Sequence, residues 1–187
     1  MNDYLCFWKD GEATPAGAAL IAWHAELKDA TGLRAALRRV EHPDDCAFIP
    51  GFHALRLKLG VGTGRVATSL AVAVALAAHV RQHRSGGRLP QRLRGGRDDR
   101  PLLSDIRLRR LLAEEDPAEI LRLLRRALAM LDGPLDVAEM AQWALRLTSP
   151  VTHDRAAREF AYAYYGALSP DERKVAADTD TDTDTAA

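Results

Sequence analysis

The sequence predicts an all-α protein, a compact helical bundle built from two packed helical halves. Aromatic residues make up only 6% of the 187 residues, and alanine, leucine and arginine dominate, which favours helices over a β-sandwich or barrel. Between proline and glycine breaks, apolar residues recur at helical spacing. We expect one all-helical domain over 1–167, with halves at about 14–83 and 101–167 joined by a basic loop at 84–100.

Four helices are predicted in the first half. The first begins at Thr14, an N-cap residue followed by proline, and ends near Lys28. The second covers Thr31–Val40, with the threonine as its N-cap and an apolar stripe along one side. The third is predicted over 51–59, directly after a proline. The fourth, over 65–83, is apolar nearly all round, which is typical of the centre of a bundle.

Four more helices are predicted in the second half. Ser104 is the N-cap of one, and Asp116, followed by proline, is the N-cap of the next. Gly133 is expected to end that second helix, because glycine adopts the left-handed conformation common just beyond a helix C-terminus. Asp136 begins a further helix, and the last one is predicted over 152–166.

Three stretches are expected to lack regular structure. Residues 1–12 are interpreted as a loose lead-in with Trp8 as an anchor. The glycine-rich run at 60–64 is a connector rather than a phosphate-binding loop, since no strand precedes it and no Gly-Lys-Ser/Thr follows it. The basic loop at 84–100 contains four glycines. Two interpretations of this loop stay open: a mobile basic loop, and one that closes on phosphates.

Three of the predicted helices carry arginines three or four positions apart, so that each helix has a basic face. Arginine suits phosphate because its planar guanidinium donates two parallel hydrogen bonds and stays charged. A single face of this kind is an ordinary solvated surface, but three in succession favour nucleic-acid binding. The candidate nucleic-acid-binding residues are Arg34, Arg38, Arg39, Arg107, Arg110, Arg122, Arg125 and Arg126.

The charge distribution agrees with this hypothesis. The formal net charge is zero, but residues 34–126 contain 19 lysines and arginines against 10 acidic residues. Both ends of the chain are acidic, so the near-neutral pI conceals a basic middle. Such asymmetry suggests a nucleic acid, an acidic protein or an anionic surface as partner. The repeat over 178–185 predicts that residues 168–187 form a disordered acidic tail.

Catalytic and metal sites are not expected. His79 and His83 have the i, i+4 spacing of metal ligands, but no third ligand is near them in the sequence. Adjacent acidic pairs point apart on a helix, whereas a two-metal nuclease needs carboxylates that converge from separate elements. The two cysteines lack metal-ligand spacing, which is typical of reduced thiols in a cytoplasmic protein. No cofactor is implied, and no apolar run approaches membrane-spanning length.

Four segments in this order resemble the CasB family, the small subunit of the type I-E CRISPR surveillance complex called Cascade. They are GLRAALRRVEHPDD with the following PGFHAL, LLSDIRLRRLL, DPAEILRLLRRALAMLDGPLDVAEMA and REFAYAYY. Together they extend over most of residues 14–166. Arginine-rich leucine helices are common individually, and the ordered set carries the resemblance.

The resemblance implies an all-helical, non-catalytic subunit. Its implied partners are the Cascade backbone and large subunits, a second copy of itself, and the R-loop of guide RNA and target DNA. Within the R-loop it would hold chiefly the displaced non-target strand, through backbone contacts without base readout. The alternative is a helical protein–protein adaptor whose arginines meet acidic partners rather than DNA. An enzyme is the least favoured class.

Overall fold

The computed structural model of the protein describes residues 5–96, 100–131 and 133–166. The prediction of an all-α fold is confirmed, with a single two-stranded hairpin added at the N-terminal end of the described chain. The elements are β1 (Trp8–Lys9), β2 (Glu12–Ala13), α1 (Pro15–Glu26), α2 (Thr31–Arg38), a 3-10 helix (Pro43–Phe48), α3 (Pro50–Lys58), α4 (Arg65–His79), α5 (Leu89–Arg94), α6 (Asp105–Leu112), α7 (Pro117–Met130), α8 (Val137–Leu147) and α9 (His153–Tyr165).

Helix α4 lies at the centre of the fold. Every residue from Ser69 to Ala78 is buried, as expected for a helix that is apolar on all sides. Helices α2, α7 and α8 and the 3-10 helix pack around it. Because α7 and α8 come from the predicted second half, both halves contribute to one hydrophobic core. The division of the domain into two halves stays a prediction.

Three predicted helix starts are confirmed by their capping bonds, and Ser104 is the N-cap of α6 as predicted but forms no capping bond through its side chain. Thr14 Oγ1 accepts a hydrogen bond from the Gly17 amide at 3.1 Å, and the Asp116 carboxylate accepts one from the amide two residues later. Asp136 caps α8 in the same way through two amides. The expectation that Thr31 is an N-cap is wrong. The N-cap is Ala30, because the backbone turn that ends α1 leads directly into α2.

The described part of the N-terminal lead-in is ordered, so the prediction of a loose segment is wrong there. Its hairpin is held by Gln142 of α8, whose Oε1 accepts hydrogen bonds from the backbone amides of Phe7 at 2.6 Å and Trp8 at 3.2 Å. Phe7 is completely buried, whereas the predicted anchor, Trp8, is only half-buried. A polar side chain 134 residues away thus organises this end of the chain.

The basic segment at 84–100 also differs from the prediction, since it contains helix α5. Leu89 and Leu93 are buried and give this helix an apolar side. Asp136 and Glu139 at the start of α8 fix the approach to it, because their carboxylates accept hydrogen bonds from the amides of Gly86 at 3.1 Å and Leu89 at 2.9 Å. Tertiary contacts therefore override the glycine and proline content that predicted an irregular loop.

Helix α4 ends at His79 rather than at the predicted residue 83. Val80 is extended, and the chain beyond it pairs with the segment before α8. The Arg84 amide donates to the Leu135 carbonyl at 3.0 Å, and the Leu135 amide donates to the Gln82 carbonyl at 3.1 Å. This turn moves the residues after His79 away from the helix axis.

Some predictions concern residues outside the described ranges, namely residues 97–99 of the basic loop and the acidic tail at 168–187. Within the described chain, no helix is long and apolar enough to cross a membrane. The same part of the chain contains no group of three or more His, Cys, Asp or Glu side chains arranged to hold a metal ion. Cys6 and Cys46 are both free thiols.

Candidate nucleic-acid interface

Two of the candidate arginines join helices through backbone carbonyls. Arg34 of α2 donates from Nε to the Ala78 carbonyl at 3.1 Å and from Nη2 to the Val80 carbonyl at 2.8 Å, at the C-terminal end of α4. Arg125 of α7 donates from Nη2 to the Val40 carbonyl, just beyond the end of α2. Carbonyls at a helix C-terminus lack helical partners and carry partial negative charge, so a guanidinium is well suited to both positions.

These contacts surround a surface pocket of about 590 Å³ between α2, the end of α4 and α7. Arg38, His79, Arg81 and Arg125 line this pocket, which we call the arginine pocket. The rest of its lining is formed mostly by apolar residues of α7 and the loop that follows it. Among the described residues that line the pocket, none is acidic.

The pKa of His79, which lines the arginine pocket, is lowered mainly by burial and in part by the neighbouring arginines. Burial, together with smaller effects from the charges of Arg125, Arg38 and Arg34, lowers this pKa to about 4, against a backbone hydrogen bond with Arg38 that opposes the shift. The imidazole is therefore neutral at pH 7. His83, the other member of the i, i+4 pair, has a separate role: its Nδ1 accepts a hydrogen bond from the Val137 amide at 3.2 Å.

Arg107 lies at the edge of the arginine pocket. Its Nη1 is 3.7 Å from the sulfur of Met130, one of the lining residues. Arg92 of α5 approaches the same rim, since it donates from Nη1 to the Pro134 carbonyl at 2.5 Å, next to Gly133 in the pocket wall. Cations from five separate regions of the chain thus meet at or beside one concave surface.

The remaining candidates are arranged differently. Arg122 donates from Nε to both carboxylate oxygens of Glu119, at 3.0 and 2.9 Å. This hydrogen bonding, with smaller effects from the charges of Arg122, Arg110 and Arg126, holds the pKa of Glu119 below its usual value. Arg110, Arg122 and Arg126 therefore form a second cluster around one carboxylate on α6 and α7. Arg39 is exposed and, among the described residues, forms no ion pair.

The structure thus brings Arg38, Arg107 and Arg125 to the arginine pocket and leaves the other candidates elsewhere on or beneath the surface. Sequence reasoning missed Arg81, because the predicted helix over 65–83 included it in a bundle core. The signal that identifies it is the early end of α4, which the sequence does not mark with glycine or proline. That the eight arginines bind nucleic acid stays a prediction.

The model of the family described as CRISPR-associated protein Cse2 matches residues 33–165 of the chain. No curated protein sequence matches. The fold is similar to the crystal structure of CasB from Thermus thermophilus, with a TM-score of 0.63 and 26% identity over 82% of this chain and 99% of that one. A second crystal structure from Thermus thermophilus, of a CRISPR-associated protein of the Cse2 family, has a TM-score of 0.60, with the same identity and coverage.

A chain in the crystal structure of Escherichia coli Cascade bound to a PAM-containing double-stranded DNA target is also similar. Its TM-score is 0.56 and its identity is 21%, over 83% of this chain and 99% of that one. At that identity the likeness concerns the fold alone.

Proposed function

Because the chain belongs to the Cse2 family of CRISPR-associated proteins, we propose that it is a non-catalytic small subunit of a type I-E CRISPR RNA-guided surveillance complex. In that complex it binds the nucleic-acid backbone without sequence preference and stabilises the R-loop by holding the displaced non-target strand. Its partners are the backbone and large subunits and a second copy of itself, and its location is cytoplasmic.

The observation that carries the DNA-binding part of the proposal is the arginine pocket. Arg38 and Arg81 present exposed guanidinium groups beside Arg125, with no carboxylate among the described lining residues to neutralise them. Guanidinium groups bind phosphate oxygens in pairs of hydrogen bonds. Such contacts position a strand without reading its bases.

A modest contribution from this surface is sufficient for the proposed role. In RNA-guided recognition, sequence is read by base pairing between guide and target, and the exchange of one duplex for another is nearly balanced. A few phosphate contacts to the displaced strand, each insensitive to sequence, therefore shift the balance towards the open state.

The structural use of the acidic side chains supports a non-catalytic role. Asp45 accepts a hydrogen bond from the His42 amide at 3.0 Å, while Asp136 and Glu139 hold the backbone that leads into α5. Glu119 is paired with Arg122. These carboxylates are used in capping and pairing, whereas a two-metal nuclease centre needs carboxylates that converge on the same ions.

The proposal is tested by binding of the purified chain to single-stranded DNA of several sequences across a salt series. If the surface neutralises about 4–6 phosphates, log K against log salt has a slope of about −3 to −4 for single strands. We expect the triple variant Arg38→Ala, Arg81→Ala, Arg107→Ala, which removes exposed arginines at the arginine pocket, to reduce both the affinity and the slope. The matched control replaces Lys9, Arg65 and Arg158, three exposed cations outside the predicted set, with alanine.

Equal losses in both triple variants would mean that the effect is one of net charge and would contradict a defined binding face. Absence of binding at low salt would refute DNA binding by the chain and favour the protein–protein adaptor.

A further inference from the structure

The arginine pocket has two walls of different chemistry. Arg38, Arg81 and Arg125 are the cationic part of the lining, which we call the cationic wall, and aliphatic and thioether side chains, which we call the apolar wall, make up most of the rest. The apolar set consists of Leu128, Ala129, Met130, Leu131 and Leu135. The volume of about 590 Å³ lies within the range of pockets that bind small organic molecules. It exceeds what a phosphate alone requires.

The cationic wall has unused capacity for hydrogen bonding. Arg38 and Arg81 are exposed, and neither forms an ion pair with any described residue. Arg125 is held in place by its bond to the Val40 carbonyl, yet its Nε is buried without a hydrogen-bond partner in the described part of the chain. A buried donor without a partner costs free energy.

The apolar wall contains no side chain that could read the hydrogen-bonding edge of a base. Leucine, alanine and methionine offer only dispersion contacts, and methionine adapts its shape to different ligands. A group that is flat and largely apolar on its faces therefore fits against this wall without selection among related groups.

We propose that the arginine pocket takes one nucleotide of a single strand, with its phosphate against Arg38, Arg81 and Arg125 and its base against the apolar wall. This inference rests on the proposed strand-holding function and names its site. In a duplex the base is paired and stacked and cannot reach the apolar wall, so the pocket favours a single strand. Binding is tolerant of sequence because the apolar wall offers only dispersion contacts, which do not distinguish one base from another.

Occupancy of the pocket has a consequence for His79. Two of the three arginines whose charges lower its pKa, Arg38 and Arg125, are among the groups that the phosphate would neutralise. A bound phosphate offsets this smaller, electrostatic part of the shift while burial keeps the ring neutral at pH 7, so the ring resonances of His79 report its arrival. The groups that face the ring are Arg34 and Arg38 of α2 and Arg125 of α7.

The chain offers a built-in probe for the test. Met130 lines the pocket and is half-buried, whereas Met140 is buried in the core and serves as an internal control. NMR of the full chain with ¹³C-labelled methionine methyl and histidine ring groups follows both walls at once. The ligands are an oligothymidylate of about 12 nucleotides, an abasic strand of equal length, the corresponding duplex, and thymidine 5′-monophosphate.

We expect the oligothymidylate to shift the Met130 methyl and the His79 ring, while the abasic strand shifts only His79. The duplex is expected to leave Met130 unchanged. In Arg81→Ala, the affinity for oligothymidylate falls by about tenfold or more at low salt, as for loss of a charged hydrogen-bond partner, and the Met130 shift decreases in parallel. Arg158→Ala, which removes an exposed arginine of α9, stays within about twofold of the unmodified chain.

Other outcomes overturn the inference in distinguishable ways. If oligothymidylate binds but neither Met130 nor His79 responds, the strand lies elsewhere and only the proposed function survives. If the abasic strand shifts Met130 as strongly as oligothymidylate does, the base is not against the apolar wall. If thymidine 5′-monophosphate shifts both signals and the strands do not, the pocket binds free nucleotides. If no strand binds at low salt, the proposed function and the inference both fail.

Discussion

Glu139, at the start of α8, should make the stability of the protein depend on pH. Its side chain is 3% exposed, with Oε2 accepting a hydrogen bond from the Leu89 amide at 2.9 Å and Oε1 accepting one from Trp143 Nε1 at 2.5 Å. Burial raises the pKa of this carboxyl from 4.5 to about 7. The two hydrogen bonds and the charge of Arg88 oppose the shift, and the charge of Asp136 adds to it.

The sign of the effect follows from which state binds the proton more tightly. Between pH 4.5 and about 7 the folded chain keeps the proton on Glu139, whereas the unfolded chain has lost it. The free energy of unfolding therefore falls as pH rises through this window. The difference between the two pKa values corresponds to a contribution of about 3 kcal/mol to the free energy of unfolding. This contribution is present below pH 4.5 and is fully lost above pH 7.

The variant Glu139→Gln removes this titration while keeping the shape of the side chain. Glutamine has only one acceptor oxygen for two N–H donors, so we expect the variant to be less stable by about 1–3 kcal/mol at pH 4.5. The measurement is urea unfolding of both proteins from pH 4.5 to 8. Across that range the variant should gain about 3 kcal/mol relative to the unmodified chain.

Glu12→Gln, which replaces an exposed glutamate of β2, controls for the loss of one carboxylate. A difference between Glu139→Gln and the unmodified chain that stays constant within about 0.5 kcal/mol at all pH values would refute the assignment of a protonated, buried Glu139.

Three further predictions concern packing and access. Gly17→Ala should destabilise the protein by about 1–3 kcal/mol in urea unfolding, because a Cβ there would overlap the carbonyl of Phe7. By contrast, a Cβ at Gly32 would meet only open space, so Gly32→Ala should raise the free energy of unfolding by up to about 1 kcal/mol. Equal effects at Gly17 and Gly32 would contradict the packing argument. Arg34→Ala should lower the free energy of unfolding by about 2 kcal/mol in the same assay, because two carbonyls at the end of α4 lose a charged donor. An unchanged unfolding midpoint would mean that water replaces the guanidinium as donor. Cys46 is completely buried, and burial raises the pKa of its thiol to about 12. A thiol reagent at pH 8 should therefore modify this residue only after unfolding. Rapid reaction in the native protein would disprove its burial.

The sequence predicted the helices well where their signals are local. Thr14, Asp116 and Asp136 each cap a helix through an amide two or three residues away, so side chain and partner lie in the same short window. The central position of α4 was also predictable, because a helix that is apolar on every side has no face to present to water. The resemblance to the CasB family likewise came from the order of such local segments.

The candidate site was predictable only in part. Arginine spacing identifies which side chains share a helix face, but not what each face meets. Arg125 bonds to a carbonyl 85 residues away and Arg34 to carbonyls 44 and 46 residues away. From spacing alone these two resemble Arg38, which is exposed beside the pocket.

By itself, then, the sequence determined the helical class, most helix starts and the basic middle of the chain, since these depend on neighbouring residues and on composition. Tertiary structure alone decided that α4 ends at His79, that α5 forms in a glycine-rich segment, and that Arg81 turns towards the arginine pocket. The physical reason is tertiary: backbone pairing with Leu135 and Asp136, hydrogen bonds to the side chains of Asp136 and Glu139, and the burial of Leu89 and Leu93 outweigh the local preferences of the chain.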